Sequence, residues 1–201
     1  MPYTYLALGD SYTIGEAILL SESFPYQTVQ LLRSKKIEIT APEIIAKNGW
    51  TTDELNEAIL QTNFLKKYDF VSLLIGVNNQ YRERGIDNFE QEFEELLKKA
   101  IHYAGNNTKN VFVLSIPDWS VTAFAKDRDT NKIAIEINAY NTVCKKITAK
   151  YNCTFLDITT AQIQDSNKPE MLAVDELHPS ALEYTKWAAM LADAIAEGCL
   201  V

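Results

Sequence analysis

The stretch Leu8-Gly9-Asp10-Ser11-Tyr12-Thr13-Ile14-Gly15 joins an apolar, β-prone run (residues 3–8) to a short polar turn. A serine just past the carboxyl end of a first strand stands where open α/β sheets bind their ligands. Gly9 is expected to let the chain turn sharply there, and small neighbours leave the Ser11 hydroxyl accessible. Such a hydroxyl is a poor nucleophile alone. It needs a base, and the base needs an orienting group.

Outward from that turn, strands and helices alternate. Ser23-Phe24-Pro25 opens a helix that runs to about Arg33, with proline in its first turn. Two β-prone runs, 37–40 and 43–46, flank Pro42 and predict one interrupted strand. Asn48-Gly49-Trp50 turns the chain into a helix near Thr51, whose spacing to Glu54 is that of a capping box. Residues 69–75 are almost wholly apolar, as in a central strand buried on both faces. A helix over about 88–103 buries Phe89, Phe93, Leu96, Leu97 and Ala100. Residues 111–116 form the next strand, 118–130 a loop, and Ile133, Ile137, Tyr140, Cys144, Ile147 and Tyr151 the stripe of a long helix. The last strand is 153–158. A second capping-box spacing, Ser180 to Glu183, opens a final helix that Gly198 is expected to end. Five strands in this order imply an α/β fold, a mostly parallel five-stranded sheet between two helical layers in one domain over 1–201.

Composition narrows the partners. The 201 residues carry 19 basic and 27 acidic side chains, a net charge of −8, which disfavours nucleic acid or an anionic membrane surface. Cys144, Cys153 and Cys199 lack C-x-x-C spacing and are expected to be core thiols, with neither a disulfide framework nor a metal site implied. No apolar run approaches the ~20 residues of a membrane span, so no stable membrane anchor is expected. The first strand begins near residue 3, which predicts a cytoplasmic protein or one whose leader has been removed.

Four places should converge at the carboxyl edge of the sheet. Ser11 follows the first strand and Gly49 the second, just ahead of a helix whose free N–H groups favour an anion. Asn78 follows the third strand and carries an amide that can donate a hydrogen bond. Asp175-Glu176-Leu177-His178 follows the fifth, with a carboxylate and an imidazole three residues apart. Each feature has a plainer reading: a Gly-Asp-Ser turn, a helix-entry glycine, a turn-closing asparagine, a capping histidine. The other histidine, His102, has no carboxylate at a suggestive spacing and is taken as structural.

Gly9-Asp10-Ser11, Gly49, Gly76-Val77-Asn78 and Asp175-Glu176-Leu177-His178, in that order over nearly the whole chain, resemble the SGNH (GDSL-type) hydrolases. The resemblance implies a three-layer α/β/α fold and ester hydrolysis without a metal or other cofactor. Ser11 would be the nucleophile, His178 the base and Asp175 its partner. The N–H groups of Ser11 and Gly49 and the side chain of Asn78 would form the oxyanion hole. Tyr12 stands where the family pattern has leucine, a position expected to tune the pocket, and Asn79 where many members carry aspartate. The related elbow G-x-S-x-G is absent, since Thr13 occupies its second glycine.

The substrate expected is a small-molecule ester: a short acyl ester or an acetylated carbohydrate, with lysophospholipids and thioesters as alternatives on the same machinery. Tyr12, Trp50, Tyr81, Trp119 and Phe124 are candidate pocket residues, although aromatic side chains serve as often in core or rim packing. Segments 81–87, 119–130 and 161–174 are expected to wall the pocket. Arg82 and Arg84 could meet an anionic group or simply be solvated. A different class also fits the architecture: residues 11–15 as the phosphate loop of a flavodoxin-like, flavin-binding electron carrier.

Overall fold

The structure, a computed structural model, describes residues 1–165 and 168–199. In chain order its elements are β1 (Tyr5–Asp10), α1 (Ser11–Ile14), α2 (Phe24–Ser34), β2 (Glu43–Lys47), α3 (Thr52–Gln61), β3 (Phe70–Leu74), α4 (Val77–Tyr81), α5 (Ile86–Tyr103), β4 (Val111–Leu114), α6 (Thr130–Lys150), β5 (Thr154–Leu156), α7 (Thr159–Gln164) and α8 (Ala181–Cys199). The five strands form one parallel sheet in the order β2-β1-β3-β4-β5. Every residue of β1, β3 and β4 is buried, whereas the edge strands β2 and β5 are half-covered. That contrast is what near-continuous apolar runs at the centre and mixed runs at the edges encode.

Helices α2 and α8 pack together, as do α3 with α5 and α5 with α6. The chain moves from β1 outward to β2, then returns past β1 to β3, so strand order reverses between β1 and β3. A crevice opens at such a reversal, at the carboxyl ends of the strands. Ser11 directly follows β1, and Val77 and Asn78 open the short helix beyond β3. Sheet topology alone therefore sets these residues on either side of one cleft.

Several local expectations are corrected. Gly9 does not make the turn: it lies inside β1, and its lack of a side chain serves close packing. A Cβ there would meet Thr13 Oγ1 at 2.1 Å and the Leu74 carbonyl at 2.4 Å. The turn begins at Asp10, whose side chain accepts from the Tyr12 N–H at 3.0 Å and caps α1. Residues 37–40 contribute only an isolated bridge, Tyr3 to Ile39, because Pro42 interrupts the run. The loop 118–130 contains two 3₁₀ turns, Trp119–Val121 and Ala123–Ala125. The polar stretch after β5 folds in part as α7.

At Thr51 the box forms through its Glu54 side, with the Thr51 N–H donating to Glu54 Oε2 at 2.9 Å. At Ser180 the reciprocal half is missing: the Glu183 carboxylate instead accepts from Trp187 Nε1 at 2.9 Å and pairs with Lys186. Gly198 does not end α8, which continues through it to Cys199. Of the three thiols only Cys144 is buried. Cys153 and Cys199 are half-buried, and burial raises the pKa of all three.

Candidate active site

The loop ahead of α8 is built around one carboxylate. Asp175 Oδ1 accepts from the backbone N–H groups of Leu177 at 3.1 Å and His178 at 2.9 Å. This folds the loop tightly, and Glu176 adopts a left-handed φ of +60° to complete it. The other oxygen, Oδ2, lies 2.6 Å from His178 Nδ1. Partial burial pushes the Asp175 pKa up, but the imidazole and the two backbone donors outweigh it, and the carboxyl is held below its ordinary value. An ionised carboxylate only accepts hydrogen bonds. Nδ1 therefore carries the imidazole proton and donates it to Asp175, leaving the Nε2 lone pair open.

That lone pair faces Ser11, the residue that follows the first strand. His178 Nε2 and Ser11 Oγ are 2.9 Å apart, with Ser11 3% and His178 6% exposed. The Ser11 hydroxyl donates to Nε2. The Tyr12 ring backs the imidazole at 5.1 Å between centroids and is itself backed by Trp187 at 6.3 Å. Asp10, beneath the serine, is fully buried; burial raises its carboxyl to about 7, against a smaller lowering by the Tyr12 N–H.

Across the cleft, Gly49 and Asn78 complete the group. Gly49 adopts φ +84°, which favours glycine, and its N–H meets no protein acceptor among the described residues. Asn78 Nδ2 donates one hydrogen to the Trp50 carbonyl at 2.9 Å, leaving its second N–H for the cavity. Ser11, Gly49, Asn78 and His178 line a cavity of about 320 Å³ together with Tyr12, Asn48, Val77, Tyr81, Arg82, Trp119, Phe124 and Leu177.

Four of the five candidate pocket residues are at this cavity. Trp119 contacts Tyr81 (5.5 Å between centroids) and Phe124 (6.1 Å), and its Nε1 donates to Gln80 Oε1 at 2.8 Å. Trp50 is not among the lining residues: its side chain packs against the core, and its carbonyl serves Asn78. None of the described residues of 161–174 lines the cavity either, since α7 occupies the start of that segment. Residues 166 and 167 of that wall lie outside the described residues. His102 is exposed in the last turn of α5, remote in the fold from this group.

The sequence marked Asn79 only as a departure from the family pattern, with no role assigned, and gave no sign of what Gln80 does. Asn79 is buried; its Oδ1 accepts from the Thr52 N–H at 3.1 Å and its Nδ2 donates to Thr52 Oγ1 at 2.6 Å, fastening α4 to the start of α3. Gln80 links Trp119 to Glu136, to which its Nε2 donates at 2.8 Å. Their adjacency to Asn78 was the available signal. Arg84 is tied to Asp53 at 2.6 Å and is not among the residues that line the cavity.

A family model described as GDSL-like lipase/acylhydrolase matches residues 7–186. No curated protein matches the chain. Among solved structures, an acetylxylan esterase from Geobacillus stearothermophilus is similar at 20% identity with a TM-score of 0.75, over 96% of this chain and 94% of that one. A lipase/acylhydrolase from Enterococcus faecalis is similar at 21% identity and a TM-score of 0.74, over 97% and 95% of the two chains. At such identities the likeness to solved structures is one of fold. The family match is with acyl hydrolases, and the flavin-carrier alternative is left without a supporting observation.

Proposed function

This chain belongs to the GDSL-like lipase/acylhydrolase family, and from that premise we propose that it is a serine esterase acting on a carboxylic ester. The observation that carries the reading is the continuous relay from Ser11 Oγ to His178 Nε2 at 2.9 Å and from His178 Nδ1 to Asp175 Oδ2 at 2.6 Å. In this mechanism Ser11 Oγ attacks the ester carbonyl while His178 takes its proton. Asp175 holds the tautomer and stabilises the imidazolium that forms. The carbonyl oxygen becomes an oxyanion, received by the N–H groups of Ser11 and Gly49 and by Asn78 Nδ2. His178 then protonates the leaving alkoxide, and water repeats the sequence on the acyl-enzyme. The nucleophile is activated by the imidazole, so the chemistry calls on no metal ion.

We further propose a small acyl group, with an acetylated carbohydrate as the favoured substrate and its sugar hydroxyl as the leaving group. The rings of Tyr81, Trp119 and Phe124 at the cavity offer apolar faces to a sugar ring, and an acetylxylan esterase shares the fold. A p-nitrophenyl ester series from acetate to decanoate, run beside a panel of acetylated sugars, tests this. Activity on acetate and on acetylated sugars, unchanged by a chelator, is expected. A preference rising with chain length would favour a lipid or thioester substrate instead, and no turnover of any ester would overturn the assignment.

A further inference from the structure

We propose that Arg82 is a positioning residue for the oxyanion hole, holding the Gly49 turn through its carbonyl; the inference rests on the esterase reading of this site. Residues 47–50 form a tight turn closed by the Trp50 N–H on the Lys47 carbonyl at 3.3 Å. Gly49, at φ +84°, has the positive φ that position i+2 of a type II turn requires. Glycine is chosen for that conformation, yet it also leaves the neighbouring peptide planes the freest in the turn. An oxyanion donor must do the opposite and keep one direction, because preorganisation is the source of its effect.

The structure supplies the restraint from outside the turn. Arg82 Nη2 donates to the Gly49 carbonyl at 2.6 Å, and Asn78 Nδ2 donates to the Trp50 carbonyl at 2.9 Å. Two successive carbonyls are thus held from one side, by side chains at the start and just past the end of α4. The guanidinium is itself fixed: Nη1 lies 3.3 Å from the Glu54 carboxylate, which also accepts from the Thr51 N–H. A planar fork with defined donor directions can hold a carbonyl in place more firmly than an ammonium can. Arg82 also borders the cavity, so the restraint acts at the reacting centre. Its side chain is 43% exposed and that of Glu54 38%, and an ion pair so exposed contributes little to stability.

The test compares wild type, Arg82→Ala and Arg82→Lys on neutral p-nitrophenyl acetate and on the anionic mono-p-nitrophenyl succinate. Arg82→Ala is expected to lower kcat on both esters by about 10- to 100-fold with KM little changed, less than the roughly 10²- to 10³-fold lost with an oxyanion donor. Arg82→Lys, which keeps one donor, is expected to fall between, and the thermal transition of both variants to stay near wild type. An Arg82→Ala enzyme with wild-type kcat on the neutral ester would overturn the inference. So would a loss confined to KM for the anionic ester, which would make Arg82 a substrate-binding cation. Either result leaves the esterase reading standing, whereas a wild type that hydrolyses neither ester removes both.

Discussion

Asp175 does two jobs with its two oxygens, one shaping the loop and one fixing the imidazole. Replacing it by asparagine keeps an acceptor for the backbone but lets the amide present N–H to Nδ1, which favours the wrong tautomer. Asp175→Asn is therefore expected to lower kcat by about 10⁴-fold, measured by steady-state hydrolysis of p-nitrophenyl acetate. Asn78→Ala removes one of the proposed oxyanion donors and is expected to cost about 3–4 kcal/mol in kcat/KM. At this scale the sequence was most informative where chemistry depends on short spacing. Asp175 and His178 are three residues apart, and Ser11, Gly49 and Asn78 each follow a strand. The aromatic residues were less legible: Trp50 and Trp119 both sit in loops, and only packing sends one ring to the core and the other to the cavity.

Helix α4 is the element through which the site is assembled. Five consecutive positions, from its second residue to the one just past its end, reach distant parts of the chain: Asn78 to Trp50, Asn79 to Thr52, Gln80 to Trp119 and Glu136, Tyr81 to Trp119, and Arg82 to Gly49 and Glu54. A helix this short is held by its side-chain contacts more than by its own hydrogen bonds. Asn79 is the buried member, and Asn79→Ala would leave the Thr52 N–H without its acceptor. That change is expected to cost about 1–3 kcal/mol of stability, read from the denaturant midpoint. It should also reduce kcat, because α4 and α3 carry Asn78 and the anchor of the Gly49 turn. None of this was legible from the residue string, since each contact spans 27 residues or more. The helix itself escaped notice because five residues carry no readable period.

For the whole molecule, the alternation of apolar runs with 3.6-residue stripes was enough to anticipate five parallel strands, and their order then explains where the cleft lies. Strand and helix ends were less accurate: Gly9 marks a close approach inside β1 rather than a turn, and α8 runs through Gly198, where a Cβ would meet nothing within 4 Å. Global stability should carry the signature of the buried Asp10. Unfolded, its carboxyl ionises near the ordinary value of 3.8; folded, it does so at about 7. Between those limits the native state holds a proton that the unfolded chain has released, so this group removes stability as pH rises from about 4 to about 7. Asp175 acts in the opposite sense: its pKa is lowered on folding, so its contribution is present above the ordinary carboxylate range and is lost on acidification. Asp10→Asn retains the cap on the Tyr12 N–H and is expected to flatten the fall in melting temperature across pH 4–7, followed by calorimetry.

Catalysis as proposed requires Ser11, just after the first strand, and His178, in the loop ahead of the last helix, to work as one unit. The direct measurement is reaction with a fluorophosphonate, followed by intact mass and peptide mapping of wild type and His178→Ala. A single adduct on Ser11 is expected in the wild type and none in His178→Ala, with the thermal transition of the variant nearly unchanged. A folded wild-type protein that takes up no label, or takes it elsewhere than Ser11, would contradict it.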